Sequence, residues 1–503
     1  MLASSPLKNN YIEMKKIIKL LLAVLIVTAI NSCKELELEP PGSRTSGDFY
    51  ATEVDLFDAI TGVYASLNSV AFARDELYWD NQSDDHWRAG DHAPDEDIET
   101  FNTNTSNAKV ASTYQAKYDI IVKATDVLNG APKVKENTSI SQVTYNTIVG
   151  EAHFLRAYAY YRLMIIHGEV QIISEENVKK GDYNVPKSTY DKVSDFIISD
   201  LEKAATLLPL RNQAARVSKG AAWALLNLVY MDRAKTNTNS EFLTKAIATG
   251  QNVITNYALA DDYHSLFLKG NENVQEVLFL LMNDVNWMGN LSRMQAHRGP
   301  RPWGAFGFHE PLEDLVKEFE TGDIRKAITI ISNGQSIWRN NLGFVVHTPN
   351  LSNTGHSYRK FLHFNQDGSY NRTLNIPLIR AAHIYLMVAE AQIRLNGPGA
   401  GDALINQVRK RAKLNPITNA TINDLMHETR VETAGENLRH QNLLRWDKAG
   451  IINLETYYAR PEKMHIVDRA RRVFKRPKNY YQPLPLIAID NSKGILVQNP
   501  LWQ

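Results

Sequence analysis

Residues able to do chemistry concentrate in two stretches, one around residues 79–97 and one from about Asn271 to Ile379. In the first, Trp79 and Trp87 flank the string DNQSDDH, followed directly by Arg88; in the second, Trp287, Trp303 and Trp338 lie among glycines, prolines and asparagines. Sugars present flat C–H faces that stack on aromatic rings, and their hydroxyls pair with Asp, Asn and Arg side chains. Loop tryptophans mixed with such polar groups therefore suit a glycan platform. Rings packed beneath their own loops would give the same pattern. Trp223 and Trp446 fall in helical context and are assigned to the core.

Catalysis finds little support. His309 and Glu310 open the string HEPLE, which lacks the second histidine one helical turn on that a zinc protease requires. Asp84 and Asp85 are paired carboxylates, and glycoside hydrolysis needs two acids about 5–10 Å apart across a sugar. Adjacent acids are common in loops, so this pair is not read as catalytic. Asp91, Asp95, Glu96 and Asp97 offer oxygen ligands without the spacing of an EF-hand, and they read as a solvated loop. No phosphate loop, dinucleotide fingerprint or nucleophile elbow appears. The expectation is a non-enzyme with no cofactor and no metal site. The basic string RARRVFKRPK reads as surface or as a contact with a partner protein.

The lone cysteine, Cys33, follows the leader MKKIIKLLLAVLIVTAINS. Lysines ahead of a short apolar run, then small residues and a cysteine, have the form of a secretory signal whose cleavage point carries the thiol that lipoprotein processing acylates. Two or more acyl chains give stable anchoring where one does not. Residues 1–32 are thus expected to be removed, with the true start at Met14, and residues 33–48 to form a charged, Pro/Gly-bearing tether to a membrane. The formal charge of the whole chain is +1, and without the lysine-rich leader it is −2, which argues against a nucleic-acid partner.

The elements that must position the loops are helical and come in pairs. GEAHFLRAYAYYRLMII sets Phe154, Tyr158, Tyr161 and Ile165 on one stripe, and VSDFIISDLEKAATLLP is its expected partner. A second pair runs KGAAWALLNLVYMDRAK and EFLTKAIATGQNVITNY, with small Ala222, Ala234, Ala246 and Gly250 where stacked helices come close. The third is AAHIYLMVAEAQIRL with ALINQVRKRAKL. Alternating bulky and small residues in successive pairs resemble tetratricopeptide units. The expected body starts at residue 49, with helix pairs over about 145–260 and 380–450 and a loop-rich ligand region with short strands over about 271–379.

From Cys33 onward the chain resembles the SusD/RagB family of nutrient-binding outer-membrane lipoproteins of Bacteroidetes. The resemblance rests on ordered segments: LELEPPG after the cysteine, DLFDAITGVYASL, DNQSDDHW, GEAHFLRAYAYYRLMIIHGEVQII, YLMVAEA, ETAGENLRHQNLLRW and the closing QNPLW. Two departures are Gln171, where the family usually has proline, and Lys34, where acidic residues are usual. The resemblance implies a mainly α, SusD-like fold of tetratricopeptide-like pairs that sits as a lid on a SusC-like, TonB-dependent outer-membrane barrel. It implies capture of an oligosaccharide at the cell surface and delivery to that barrel without chemistry, or, as in RagB-like members, capture of peptides. By the same matching, the ligand contacts fall on Trp79, Asp84, Trp87 and Arg88 on one side and Trp287 and Trp303 on the other. Glu151, Arg156, Glu390, Arg409, Glu436, Arg439 and Arg445 are read as structural ion pairs.

Overall fold

The computed structural model describes residues 49–69, 75–90, 92–234, 241–283, 298–371, 373–467 and 472–503. The expected leader, Cys33, the tether and Trp287 lie outside the described residues.

The frame is a run of helices: α1 (Glu53–Leu67), α2 (Ala108–Asn137), α3 (Gln142–His167), α4 (Tyr190–Leu207), α5 (Lys219–Arg233), α6 (Glu241–Asn256), α7 (Ala381–Asn396), α8 (Asp402–Arg411), α9 (Ile422–Thr433) and α10 (Arg439–Lys448). Asn107, Ser141, Thr189 and Thr421 cap the starts of α2, α3, α4 and α9 by accepting from backbone N–H groups that the first turn leaves unpaired. Each helix from α1 to α7 packs against the next, and α7 also packs on α8 and α9. This is the stacked-pair arrangement expected of tetratricopeptide-like units, in which each unit buries its apolar face on its neighbours.

Helix α3 is buried on nearly every side, from Ile148 through His167, because α2 covers one flank and α4 the other. Phe154 and Tyr158 each meet Phe279 edge-on, at centroid distances of 5.0 Å. At Gly250 on α6 a Cβ would stand 2.2 Å from Val388 Cγ2 on α7, so the small residue sets the approach of those helices. Helix α2, 30 residues long, was not anticipated. Its inward positions include Thr113, Lys117 and Thr125, so no clean apolar stripe marks it.

The strands are short. β1 (His86–Arg88), β2 (Val170–Gln171), β3 (Lys187–Ser188), β4 (Val277–Leu281), β5 (His309–Pro311), β6 (Ile330–Ser332), β7 (Ser336–Trp338), β8 (Phe344–Val346), β9 (His356–Tyr358) and β10 (Ile376–Arg380) form two-stranded antiparallel pairs: β1–β5, β2–β3, β4–β10, β6–β9 and β7–β8. Six of the ten fall in the loop-rich stretch between α6 and β10. The C-terminal segment closes back on the helices, with the Gln482 N–H donating to Ile166 O at 2.7 Å and the Leu486 N–H to Thr105 O at 2.8 Å.

Charge is buried between the helical frame and the loop-rich region. Arg325 donates to Asp323, Glu428 and Glu432, and Arg380 to Glu276, Glu432 and Glu436, at 2.6–3.0 Å and with every side chain nearly inaccessible. Arg156 grips Asp200 through Nε (2.7 Å) and Nη2 (2.8 Å). Glu390 accepts from Arg445 and from Trp446 Nε1 (2.9 Å), Arg409 pairs with Glu320 and Glu428, and Glu151 pairs with Arg216. Trp446 is fully buried and Trp223 half-buried.

Candidate functional site

Strand β1 brings the segment after α1 to the loop-rich middle. Its register against β5 sets Trp87 opposite Glu310 and Arg88 opposite His309. The pairing continues outward as Ala89 N–H donates to Phe308 O and Leu312 N–H to Asp85 O, both at 2.9 Å. Beside this seam opens a surface cleft of about 390 Å³, lined among others by Gly90, Arg301, Phe306, Phe308, Asn350 and Asn353.

Phe306 and Phe308 are half-buried, with ring centroids 6.0 Å apart and planes at 26°. Gly90 has φ +102°, and a Cβ there would come within 2.8 Å of the Phe308 ring, so only glycine lets the two loops meet. Arg88 braces this loop from beneath, its Nη1 donating to Gly90 O (3.0 Å) and its Nη2 to His92 O (2.7 Å). Glu310 holds the opposite wall: it accepts from Ser352 Oγ, Asn353 N–H, Asn353 Nδ2 and Thr354 N–H at 2.7–3.1 Å. Burial raises its pKa against the pull of those donors. The cleft therefore offers two aromatic rings, a guanidinium and side-chain amides on loops held from below.

The residues singled out in the sequence fall unevenly around it. Trp87 is half-buried and lies flat on His465, at 4.1 Å between centroids and 18° between planes. As cross-strand partners, Trp87 and Glu310 share one face of the β1–β5 pair. Arg88, 4% exposed, faces the other way and supports the cleft without reaching it. Trp79 is 6% exposed and packs with Ile98, Val110 and Ile166, and Trp303 is 5% exposed among Ile331, Ile337, Leu362 and Tyr370. Neither ring presents a face to a ligand. Asp84 is fully buried, held by Arg439 at 2.7 Å, Arg430 at 3.3 Å and Lys463 at 3.6 Å. For Trp79, Asp84 and Trp303 the expectation of direct sugar contact at this cleft is corrected: packing encloses the rings, and cations consume the carboxylate. Phe306 and Phe308 were missed, although the alternation GAFGFHE marks a glycine-spaced, aromatic loop.

The adjacent carboxylates Asp84 and Asp85 are both held by cations, Asp85 by Arg430 at 2.8 Å. Among the described residues one group of ligating atoms lies close enough to hold a metal, Glu320, His427 and Glu428. Arg409 already occupies its carboxylates, at 2.6 Å from Glu320 and 3.1 Å from Glu428.

Comparison with known proteins decides the family. Residues 230–502 match the sequence model of the SusD family, and residues 36–231 match a second model described as starch-binding, associating with the outer membrane. The chain belongs to the SusD family. Among curated SusD relatives, it is 23% identical to SusD-like protein P25 of Formosa agariphila, covering 86% of this chain and 90% of that one. It is 25% identical to a SusD-like protein of Bacteroides ovatus, covering 69% and 67%. Solved structures agree in fold. A SusD-like protein of Bacteroides fragilis matches at TM-score 0.74 and 20% identity over 90% of this chain and 98% of its own. Surface glycan-binding protein A of Bacteroides uniformis matches at TM-score 0.74 and 19% identity over 90% and 100%. A structure containing a xylogluco-oligosaccharide matches at TM-score 0.68 and 23% identity, over 79% and 85%.

Proposed function

We propose that this SusD-family protein is a non-catalytic, lipid-anchored surface protein of the outer membrane that binds oligosaccharides and hands them to a SusC-like, TonB-dependent barrel. Cys33 carries the anchor, and the transporter supplies the energy of import. The observation that carries the reading is the cleft at the β1–β5 seam, where Phe306 and Phe308 stand beside Arg301, Asn350 and Asn353. Aromatic faces with adjacent amides and a guanidinium meet both the C–H faces and the hydroxyls of a sugar. Support also comes from the glycan-binding fold neighbours and from the starch-binding description of the family model. Trp87, on the Glu310 face of the seam, is a contact to the ligand's outer units. Trp287 stays a candidate on sequence grounds alone.

The test is titration calorimetry of the chain from residue 34 onward against plant, host and microbial oligosaccharides and a peptide mixture, beside Phe308→Ala. Saturable binding of one glycan class, weakened about tenfold by the variant, is the expected outcome. Binding of peptides with silence on every glycan would replace this reading with the RagB-like one.

A further inference from the structure

A second cleft, separate from the β1–β5 seam, opens between α3, α10 and the C-terminal stretch Asn479–Gln482. Its mouth carries half-buried Lys448, Tyr480 and Tyr481; its floor is made by the buried Trp79, Gln82, His440 and Gln482. About 50 Å³ is open to water-sized molecules, enough for a few waters or one small molecule.

Four atoms on the floor have no hydrogen-bond partner: Trp79 Nε1, Gln82 Nε2, His440 Nδ1 and Gln482 Oε1. Buried polar atoms are nearly always paired, so four orphans lining one cavity call for a common partner. They are what remains after local bonds are made, since Gln482 Nε2 donates to Gln82 Oε1 at 3.1 Å and the His440 backbone N–H to Asp80 Oδ1 at 3.0 Å. Their chemistry is mixed. The indole N–H and the Gln82 amide only donate, and Gln482 Oε1 only accepts. Burial keeps the His440 ring neutral, its pKa lowered to about 3, so its unpartnered Nδ1 can be met by a group that both gives and receives a hydrogen bond.

Two donors, one acceptor and an imidazole nitrogen that can be either are what hydroxyl groups satisfy, because each O–H both gives and receives. An anion would face the Gln482 Oε1 lone pairs, and a cation two N–H groups. At the mouth, Lys448 Nζ sits 4.1 Å from the centroid of the Tyr481 ring and 5.4 Å from that of Tyr480, and among the described residues no carboxylate pairs with it within 4.0 Å. It is a third donor, flanked by ring faces suited to C–H groups.

We propose that this cleft is a binding site for a small neutral polyol of about glycerol size, held by the Trp79 indole N–H, the Gln82 and Gln482 amides, His440 Nδ1 and Lys448. Trp79 acts here through its N–H and not through its ring face. The occupant joins the segment after α1, helix α10 and the C-terminal stretch, three parts of the chain far apart in sequence.

The test is calorimetry with glycerol and with erythritol on the full chain purified free of polyols, beside Trp79→Phe, Lys448→Met and, as a control at the other cleft, Phe308→Ala. One saturable site in the wild type is expected, weakened about tenfold by Trp79→Phe or Lys448→Met and unchanged in Phe308→Ala. A crystal soaked in the same polyol should show it on the four floor atoms. No saturable heat with either polyol, equal affinity in both floor and mouth variants, or ordered water alone at those atoms in the soaked crystal would overturn the proposal.

Discussion

At Gly90 a single hydrogen in place of a side chain keeps the Phe308 ring where it is. Gly90→Ala puts a Cβ within 2.8 Å of that ring at a φ of +102° that L residues rarely adopt, so the ring or the loop must shift. The expected result is oligosaccharide affinity reduced about tenfold with far-UV circular dichroism unchanged, read by calorimetry. Glu318 sets a different residue-scale prediction. Burial opposes its charge, but the hydrogen bond from His427 and the guanidinium of Arg430 prevail and lower its pKa from 4.5 to about 2. A carboxylate with a depressed folded pKa stabilises the protein above the unfolded value and loses that contribution as pH falls from 4.5 toward 2. Thermal midpoints should therefore drop over that window, and Glu318→Gln should flatten the drop. Asp84 shows why its role was hard to read from sequence. Its partner Arg439 lies 355 residues away, and no local pattern reveals that a loop carboxylate will be enclosed by distant arginines.

Helix pairing was legible wherever a stripe of apolar residues alternated with small ones. The segments that became α3 to α8 carry that pattern, and Gly250 sits where α6 and α7 touch. Gly250→Ala forces a Cβ against Val388 Cγ2 and should cost about 1–3 kcal/mol by overpacking, measured by urea unfolding. An unchanged midpoint would mean that the two helices separate at no cost. Helix α2 escaped notice for the opposite reason: buried Lys117 donates to Thr113 O at 3.2 Å within its own helix, so a polar residue occupies an inward position. The β1–β5 pair was equally illegible, since three-residue strands over 220 residues apart carry no periodicity to detect. The family resemblance pointed to two loops, and packing buries Trp79 and Trp303 within them while Trp87, Phe306 and Phe308 stay half-buried.

Across the molecule, buried ion pairs join the helical frame to the loop-rich region. Arg325 comes from the loop-rich stretch and binds Glu428 and Glu432 of α9, while Arg380 at the end of β10 reaches Glu276, Glu432 and Glu436. Such pairs add little over well-packed apolar residues, but removing one partner leaves unpaired buried charge. Arg325→Leu should destabilise the body by about 3–5 kcal/mol, visible as a lower urea midpoint, and should loosen the walls of the cleft with it. A variant as stable as the wild type would show that the two regions hold together without that network.

The proposed function rests on the cleft at the β1–β5 seam, and titration of the wild type and Phe308→Ala with the oligosaccharide selected from the glycan panel tests it most directly. One saturable site in the wild type and affinity about tenfold lower in the variant, with unchanged thermal stability, are expected. Equal affinity in the two proteins would place glycan recognition elsewhere on the molecule.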